Sequence, residues 1–510
     1  MPAAMPASSL REIGLVSHRG GDLQVAARYY RATIALEPSE AETWQRMGVL
    51  LRQRSEPSGA LVAFDRSLAA EAGNALRRGN RGIALRDLGR LPEAMAEHRR
   101  SLALEPGRSG GHLNLGIVAM GREAYDVAVV ALMRSVASDP GNADALDALG
   151  SACRGDGRSS EAYRWFRRAI AWRPSFSAAH FNLGGTLQTQ ALWEPSIAWY
   201  RRALAVRPGF AEAEWEMSFP MLVLGRFREG FRAFDGRWRS AGFPAAQRKW
   251  TKPAWAGEPL EGRRLLVHAE QGFGDTIQFA RYVPLIRGAG AVTVEVQGPL
   301  VRLARTLASG VEVIAAGDDL PAHDLQVPLM DLPRVFRTDQ ESIPAAVPYF
   351  AVGSPPPRAR PPMVGIAWTP SRTNRTFPAK SIPLLRLLEA FEGARCQLVS
   401  LQVDADARSE LAGRNVVDAG GTFSDFFDTA RYLLGLDLVV TVDTAVAHLA
   451  GALGRPVWVL LPAMADWRWL LDRQDSPWYP SMRLFRQPAP GDWDAVVSDV
   501  ARSLAQQIGT

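Results

Sequence analysis

The chain has 510 residues, 47% of them hydrophobic, and a formal net charge of +6, which makes it too long for one ordinary domain and too apolar to be disordered. Its longest apolar stretch, LGLDLVVTVDTAVAHLAGALG, is interrupted by Asp437, Asp443 and His448 and so reads as globular interior rather than a membrane span. The two cysteines, Cys153 and Cys396, are too few for a disulfide framework or a zinc cluster, and the basic residues are scattered among acids without a nucleic-acid reader motif.

In chain order, residues 1–6 belong to a loose tail, since MPAAMPASSLREIG has neither the basic start nor the apolar core of a signal peptide. A reducing cytoplasm is the expected compartment. From there a strict period of 34 residues governs the sequence. Pro38, Pro106, Pro140, Pro174 and Pro208 lie on it, with Ala72 at the position they skip, and so do Gly14, Gly48, Gly82, Gly116, Gly150 and Gly184. Small residues mark a further register at Ala26, Ala60, Ala94, Ala128, Ala162 and Ser196. Within each repeat the apolar residues recur at helical spacing, which predicts two antiparallel helices packed closely at the small positions and closed by proline.

This pattern resembles the tetratricopeptide repeat (TPR). The solenoid is expected over residues 7–245, with about six repeats and a degenerate seventh that has Ser218 at the glycine position and docks on another element. Such arrays commonly bind a peptide or partner protein on their concave face; scaffolding or self-association is the plainer alternative.

After a connector at 246–262, the texture changes to short β-rich runs alternating with helical patterns. RLLVHAE, VTVEVQ, VEVIAA and LQVPL form one set and MVGIAW, CQLVSLQ, LDLVVTVD and PVWVLLP a second. They predict two Rossmann-like α/β lobes, 263–352 and 363–510, joined by the proline-rich linker 353–362, with a helix closing the chain. Ligands of open parallel sheets bind beyond the carboxyl ends of the strands.

Both candidate motifs lie there. In QGFGDTIQFARYVP, Gly272 and Gly274 are expected to let the chain turn tightly after its strand, and Asp275 opens the next helix either as a cap or as a chemical group. Ile277 stands where a dinucleotide fingerprint needs its third glycine, so an NAD site is not expected. In TVDTAVAHLAGALG, Asp443 and Thr444 open a small-residue helix whose unpaired N–H groups suit a phosphate. His448 follows one turn later on the same face, as a ligand or as a satisfied structural histidine.

Residues from about 257 onward resemble a GT-B glycosyltransferase of the bacterial heptosyltransferase type. The family's G-D-x-I sequence carries the base for the acceptor hydroxyl, which the resemblance assigns to Asp275. Its D-[ST]-G-x-x-H element binds the donor diphosphate, and here DTAVAH (Asp443, Thr444, Ala445, His448) corresponds, with Ala445 in the glycine position. The family's phosphate-neutralising lysine corresponds to Arg375 in RTFP, with Lys380 as a helper; an exposed loop charge is the alternative for Arg375. Gln402, ending CQLVSLQ, is placed to approach the nucleoside or to serve as an ordinary strand-end residue.

The repeats followed by this domain resemble bacterial repeat-containing protein glycosyltransferases, including those that modify flagellin. The resemblance implies sugar transfer from a nucleotide-sugar co-substrate, without metal or other cofactor, to Ser or Thr of a protein recruited by the repeats. An adaptor with an inactive transferase-like half and an enzyme acting on lipopolysaccharide are the competing expectations. The segment DWRWLLDRQDSPWYPSMRLFRQPAPGDW also resembles these enzymes, and its aromatics are expected to pack.

Overall fold

A computed structural model describes residues 5–243, 248, 250–354, 361–370 and 377–508. The chain divides into two compact units, the first ending at Pro208 and the second running from Gly209.

The first unit is a TPR-like solenoid of six antiparallel helix pairs. They are α1 and α2 (Ala7–Arg19, Leu23–Leu36), α3 and α4 (Ala41–Gln53, Pro57–Ala70), α5 and α6 (Ala75–Asp87, Leu91–Leu104), α7 and α8 (Ser109–Met120, Tyr125–Ser138), α9 and α10 (Ala143–Gly155, Ser159–Trp172), and α11 and α12 (Ser177–Gln188, Trp193–Val206). The periodic glycines have a steric explanation. Each faces a bulky side chain 16 residues later, namely Tyr30, Phe64, His98, Leu132, Phe166 or Tyr200, so a Cβ at Gly150 would stand 2.7 Å from the Phe166 ring and one at Gly184 2.9 Å from Tyr200. Polar residues repeat as well. Trp44, His112 and His180 each donate a ring N–H to the carbonyl of Pro38, Pro106 and Pro174, at 2.8, 2.7 and 2.9 Å. Ser67, Ser101 and Ser135 donate across each pair to the carbonyls of Ala41, Ala75 and Ser109. Each device recurs in three of the pairs and gives these side chains a backbone partner.

His98 departs from this scheme. It fills the position held by Phe64 and Phe166, it is buried, and neither ring nitrogen has a partner. Burial, reinforced by Arg86 and Arg108, lowers its pKa from 6.5 to about 4. The folded state thus holds the neutral ring, while the unfolded chain takes up a proton near pH 6.5. The stability tied to this ring is complete above pH 6.5 and is lost as the pH falls toward 4, by roughly 3 kcal/mol in all. His98→Phe is expected to raise the melting temperature of the repeat unit and to flatten its stability between pH 6.5 and 4. Melts across that window would show otherwise if the variant tracked the wild type.

The second unit opens with a further antiparallel pair, α13 (Ala211–Val223) and α14 (Phe227–Phe234), followed by a 3₁₀ turn at Asp235–Arg239. This pair, expected as the degenerate last repeat, groups with the second unit, and the packing supplies the reason. Phe227 and Phe231 of α14 lie against Trp467 at ring separations of 6.2 and 5.6 Å, and Phe227 also meets Trp478 at 5.6 Å. Arg237 is fully buried, with its Nη2 donating to Glu270 at 2.8 Å and also to Asp331.

Two parallel sheets follow. The first has the order β3-β2-β1-β4, from β1 (Arg264–His268), β2 (Ala291–Val296), β3 (Val311–Ala315) and β4 (Leu325–Pro328). The second has the order β10-β9-β8-β5-β6-β7, from β5 (Met363–Ala367), β6 (Gln397–Ser400), β7 (Val416–Asp418), β8 (Leu438–Val442), β9 (Val457–Leu461) and β10 (Met482–Arg486). β8 and β9 are buried at every position, which explains their apolar runs, broken only by Thr441: both faces of the sheet are covered. The order in which successive strands are added reverses at β1/β4 in the first sheet and at β5/β8 in the second, and open α/β sheets offer their ligand crevice at such switch points. Among the described residues no helix is long and apolar enough to cross a membrane.

Candidate active-site cleft

The loop leaving β1 and the loops leaving β5 and β8 line one cavity of about 610 Å³. Gln271, Gly272, Phe273, Gly274 and Asp275 form one wall, at the start of α15 (Phe273–Phe279), together with Gln297 beyond β2. Pro370, Lys380, Asp443, Thr444, Ala445, His448, Asp466 and Arg468 form the other. Asp275 and Thr444, expected at one cleft, therefore share it.

Asp275 is a cap and also a cleft residue. Its Oδ2 accepts from the Gly272 backbone N–H at 2.9 Å, closing the first turn of α15. Its Oδ1 accepts from Nη2 of Arg468, while the side chain stays 21% exposed. Burial raises the pKa of this carboxyl above its ordinary value despite the Arg468 charge, and the nearby Asp466 and Asp443 push the same way.

Arg468 is held at several points. Nη1 donates to Asp466 at 2.8 Å, Nε donates to Gln278 at 2.6 Å, and the guanidinium lies 4.4 Å from the centre of the Trp467 ring. Burial alone would disfavour its charge, but Asp466 and Asp275 outweigh that and raise its pKa further. Lys380 donates to Asp443. Burial opposes the ammonium too, but Asp443 and Asp466 outweigh it and hold the pKa above its ordinary value.

Thr444 is the extended N-cap of the Ala445–Ala452 helix, yet its side chain turns to Thr441 Oγ1 at 3.1 Å and leaves the cap position unfilled. Ala445 lines the cleft beside it. His448 reaches the cleft as a neutral imidazole. Its Nδ1 is 3.0 Å from the Tyr479 hydroxyl, its ring stacks on Trp469 with centroids 5.4 Å apart, and burial with Arg468 nearby drives its pKa well below 6.5. It therefore presents no positive charge to the cleft.

Three expectations are corrected or left aside. Gly272 and Gly274 were expected for a tight turn, but Gly272 has φ −72° and neither residue has a positive φ. Space is what glycine supplies here: a Cβ at Gly274 would stand 2.9 Å from His448 Cδ2 and 3.7 Å from Ala445 Cα, and one at Gly272 3.2 Å from Asp275 Oδ2. Gln402 does not line the cavity; its Nε2 donates to the Thr369 carbonyl at 3.1 Å, and its Oε1 is buried without a partner. Arg375 lies outside the described residues.

Arg468 and Asp466 escaped the motif analysis. They sit in the DWRW start of the C-terminal aromatic segment, where no period or spacing marks them. The aromatics around them do pack, since Trp467, Trp469, Trp478 and Tyr479 are all buried.

Comparison with known proteins matches residues 145–175 to the tetratricopeptide repeat family. Protein FlbA of Caulobacter vibrioides is 26% identical over 324 residues, covering 56% of this chain and 53% of that protein, so the chain spans about half the length of this curated relative. Among solved structures, MamA is similar at 22% identity and a TM-score of 0.31, covering 33% of this chain and 92% of its own. YrrB, a TPR protein with an unusual peptide-binding site, is similar at 21% identity and a TM-score of 0.31, covering 37% and 97%. The chain thus carries a TPR-like solenoid, one repeat of which matches the family model, and is similar to Protein FlbA.

Proposed function

We propose that this protein is a glycosyltransferase that moves a sugar from a nucleotide-sugar donor to a Ser or Thr hydroxyl of a protein recruited by its repeats, with flagellin as a candidate acceptor. The observation that carries this reading is the shared cleft, in which the Asp275 carboxylate faces Thr444, Lys380 and Arg468 at the switch points of two parallel sheets. In the reaction, the acceptor oxygen bonds to the anomeric carbon and the carbon–oxygen bond to the diphosphate breaks. Its electron pair leaves on the phosphate oxygen, and the hydroxyl proton passes to Asp275. The open N-terminus of the Ala445–Ala452 helix and the two cations stabilise the leaving charge. The repeats supply the protein-binding half of the reaction.

The test is to isolate the chain with its bound partner, add a panel of ADP-, UDP- and CMP-sugars, and weigh the intact partner. A sugar-sized mass increment that depends on this protein is expected. Mass gained by a glycolipid instead of a protein would transfer the activity to the lipopolysaccharide class. A second reading, an adaptor with an inactive domain, is favoured by one observation: both Asp275 oxygens are already engaged, by Gly272 and by Arg468. No increment with any donor, on protein or glycolipid, would support it.

A further inference from the structure

The described lining of the cleft carries three carboxylates, Asp275, Asp443 and Asp466, against two cations, Lys380 and Arg468. Both cations are already engaged, Lys380 with Asp443 and Arg468 with Asp466 and Asp275. An entering diphosphate therefore competes with these carboxylates for the cations. The two pairs differ in what such an exchange does. Lys380 and Asp443 both follow strands of the second sheet, β5 and β8, so parting them changes one wall only. Arg468 and Asp275 belong to opposite walls, 193 residues apart in sequence, and their ion pair bridges the two walls.

Arg468 is built to give up one contact and keep the rest. Its Nη1 and Nε remain on Asp466 and Gln278, and its plane stays against Trp467, so Nη2 alone can change partner without the side chain leaving its place. A guanidinium has this divided donor set and an ammonium does not. Trp467 is itself fixed by α14 and α15, through Phe231 at 5.6 Å and Phe279 at 6.4 Å, so the arginine starts from a rigid base. Asp275, once released, keeps the Gly272 bond on Oδ2, which orients the carboxylate and leaves Oδ1 for a proton.

We propose that the Arg468–Asp275 ion pair is a latch opened by the donor: the diphosphate takes Nη2 of Arg468 from Asp275, and the freed Oδ1 becomes the acceptor of the hydroxyl proton. The latch rests on the transferase reading and adds an order of events to it, because the base is released only when the leaving group is bound. A cleft without donor then holds no free base to activate water or acceptor.

The latch makes Asp275 a competitor of the ligand, which sets it apart from a structural ion pair. Titration calorimetry with ADP, UDP and inorganic pyrophosphate on the full chain supplies the test. Asp275→Asn, nearly isosteric, is expected to bind the best of these probes about tenfold tighter than the wild type, because the competing charge is gone. Arg468→Gln is expected to bind it at least about tenfold more weakly, with Arg468→Lys recovering only part of the loss. Melting curves check folding, and if Arg468→Gln does not fold, Asp275→Asn and Arg468→Lys decide. Equal or weaker binding by Asp275→Asn, or no probe bound by either wild type or Asp275→Asn, overturns the latch. Pyrophosphate matching the nucleotides in these shifts assigns the effect to the diphosphate rather than the nucleoside. If the variants bind in the expected order but no donor yields glycosylated product, the transferase reading fails and the latch stands as an anion switch. If wild type transfers sugar but Asp275→Asn binds no tighter, the latch fails and the transferase reading stands.

Discussion

Asp275→Asn is expected to lower sugar transfer by about 10²- to 10⁴-fold, the usual contribution of a positioned general base, while the domain stays folded and the nucleotide still binds. The amide keeps the shape of the carboxylate, and its oxygen can still accept from Gly272, so the first turn of α15 should hold. What it loses is the ability to take a proton and the charge that holds Nη2 of Arg468. Kinetics with intact-mass detection of product, beside calorimetry on the same sample, would separate these effects. The loss should fall in kcat, because the carboxylate acts in the transition state and does not hold the donor. An Asn variant with wild-type turnover would remove Asp275 from the chemistry and leave it as a helix cap. The burial that raises the Asp275 pKa suits it to the base role, since a carboxyl above its ordinary range retains a proton more strongly once it has one.

Arg237→Met is expected to have the largest effect on stability, about 3–5 kcal/mol, because it removes one partner of a buried ionic cluster and strands the others. Arg237 is fully buried, donates to Glu270, Asp331 and the Phe234 carbonyl, and stacks 4.1 Å from the Phe234 ring and 4.7 Å from Trp238. Burial already pushes the Glu270 carboxyl up to about 8 although Arg237 pulls it down. Without the arginine it rises further, and a carboxyl with a raised folded pKa gives stability that is present at low pH and lost as the pH climbs through that value. The deficit of Arg237→Met should therefore be deeper at pH 9 than at pH 6. Urea denaturation at the two pH values measures it, with hydrogen exchange at β1 and at the Asp235–Arg239 turn to locate it. A deficit below about 1 kcal/mol, or one that shrinks with rising pH, would mean that the cluster is not what seats this turn. Combining Arg237→Met with Glu270→Gln and Asp331→Asn should recover much of the loss, because no unpaired charge is then left inside.

The same cluster explains where the chain divides. By its 34-residue period the α13–α14 pair reads as a last repeat, and locally it is one, with two antiparallel helices and Gly230 of α14 close against Leu222 of α13. Its allegiance is set by Phe227, Phe231 and Arg237, whose partners Trp467, Trp478, Glu270 and Asp331 are far along the chain. Periodicity describes one element's own shape and is silent about which distant surface that element covers.

The amino-acid order alone specified whatever depends on neighbours within a helix turn or a strand. The glycine and proline period predicted the helix pairs because each glycine answers a bulky side chain 16 residues away in the same pair. Among the described residues, eight of the ten strands were legible as β-rich runs, most plainly β8 and β9, which are buried at every position and so nearly all apolar. The three-residue β7 and the charged β10 were not, because Val416–Asp418 is too short for a pattern and β10 carries Arg483 and Arg486 within an aromatic stretch. Asp275, Thr444 and His448 were found by their places after strands and at helix starts, and Lys380 by the family resemblance alone. Folding alone brought Arg468 to Asp275, made His448 neutral and turned Gln402 away from the cavity. These outcomes depend on burial and on charges that meet only when two sheets face each other, and Coulomb interaction and desolvation act through space, without regard to separation along the chain.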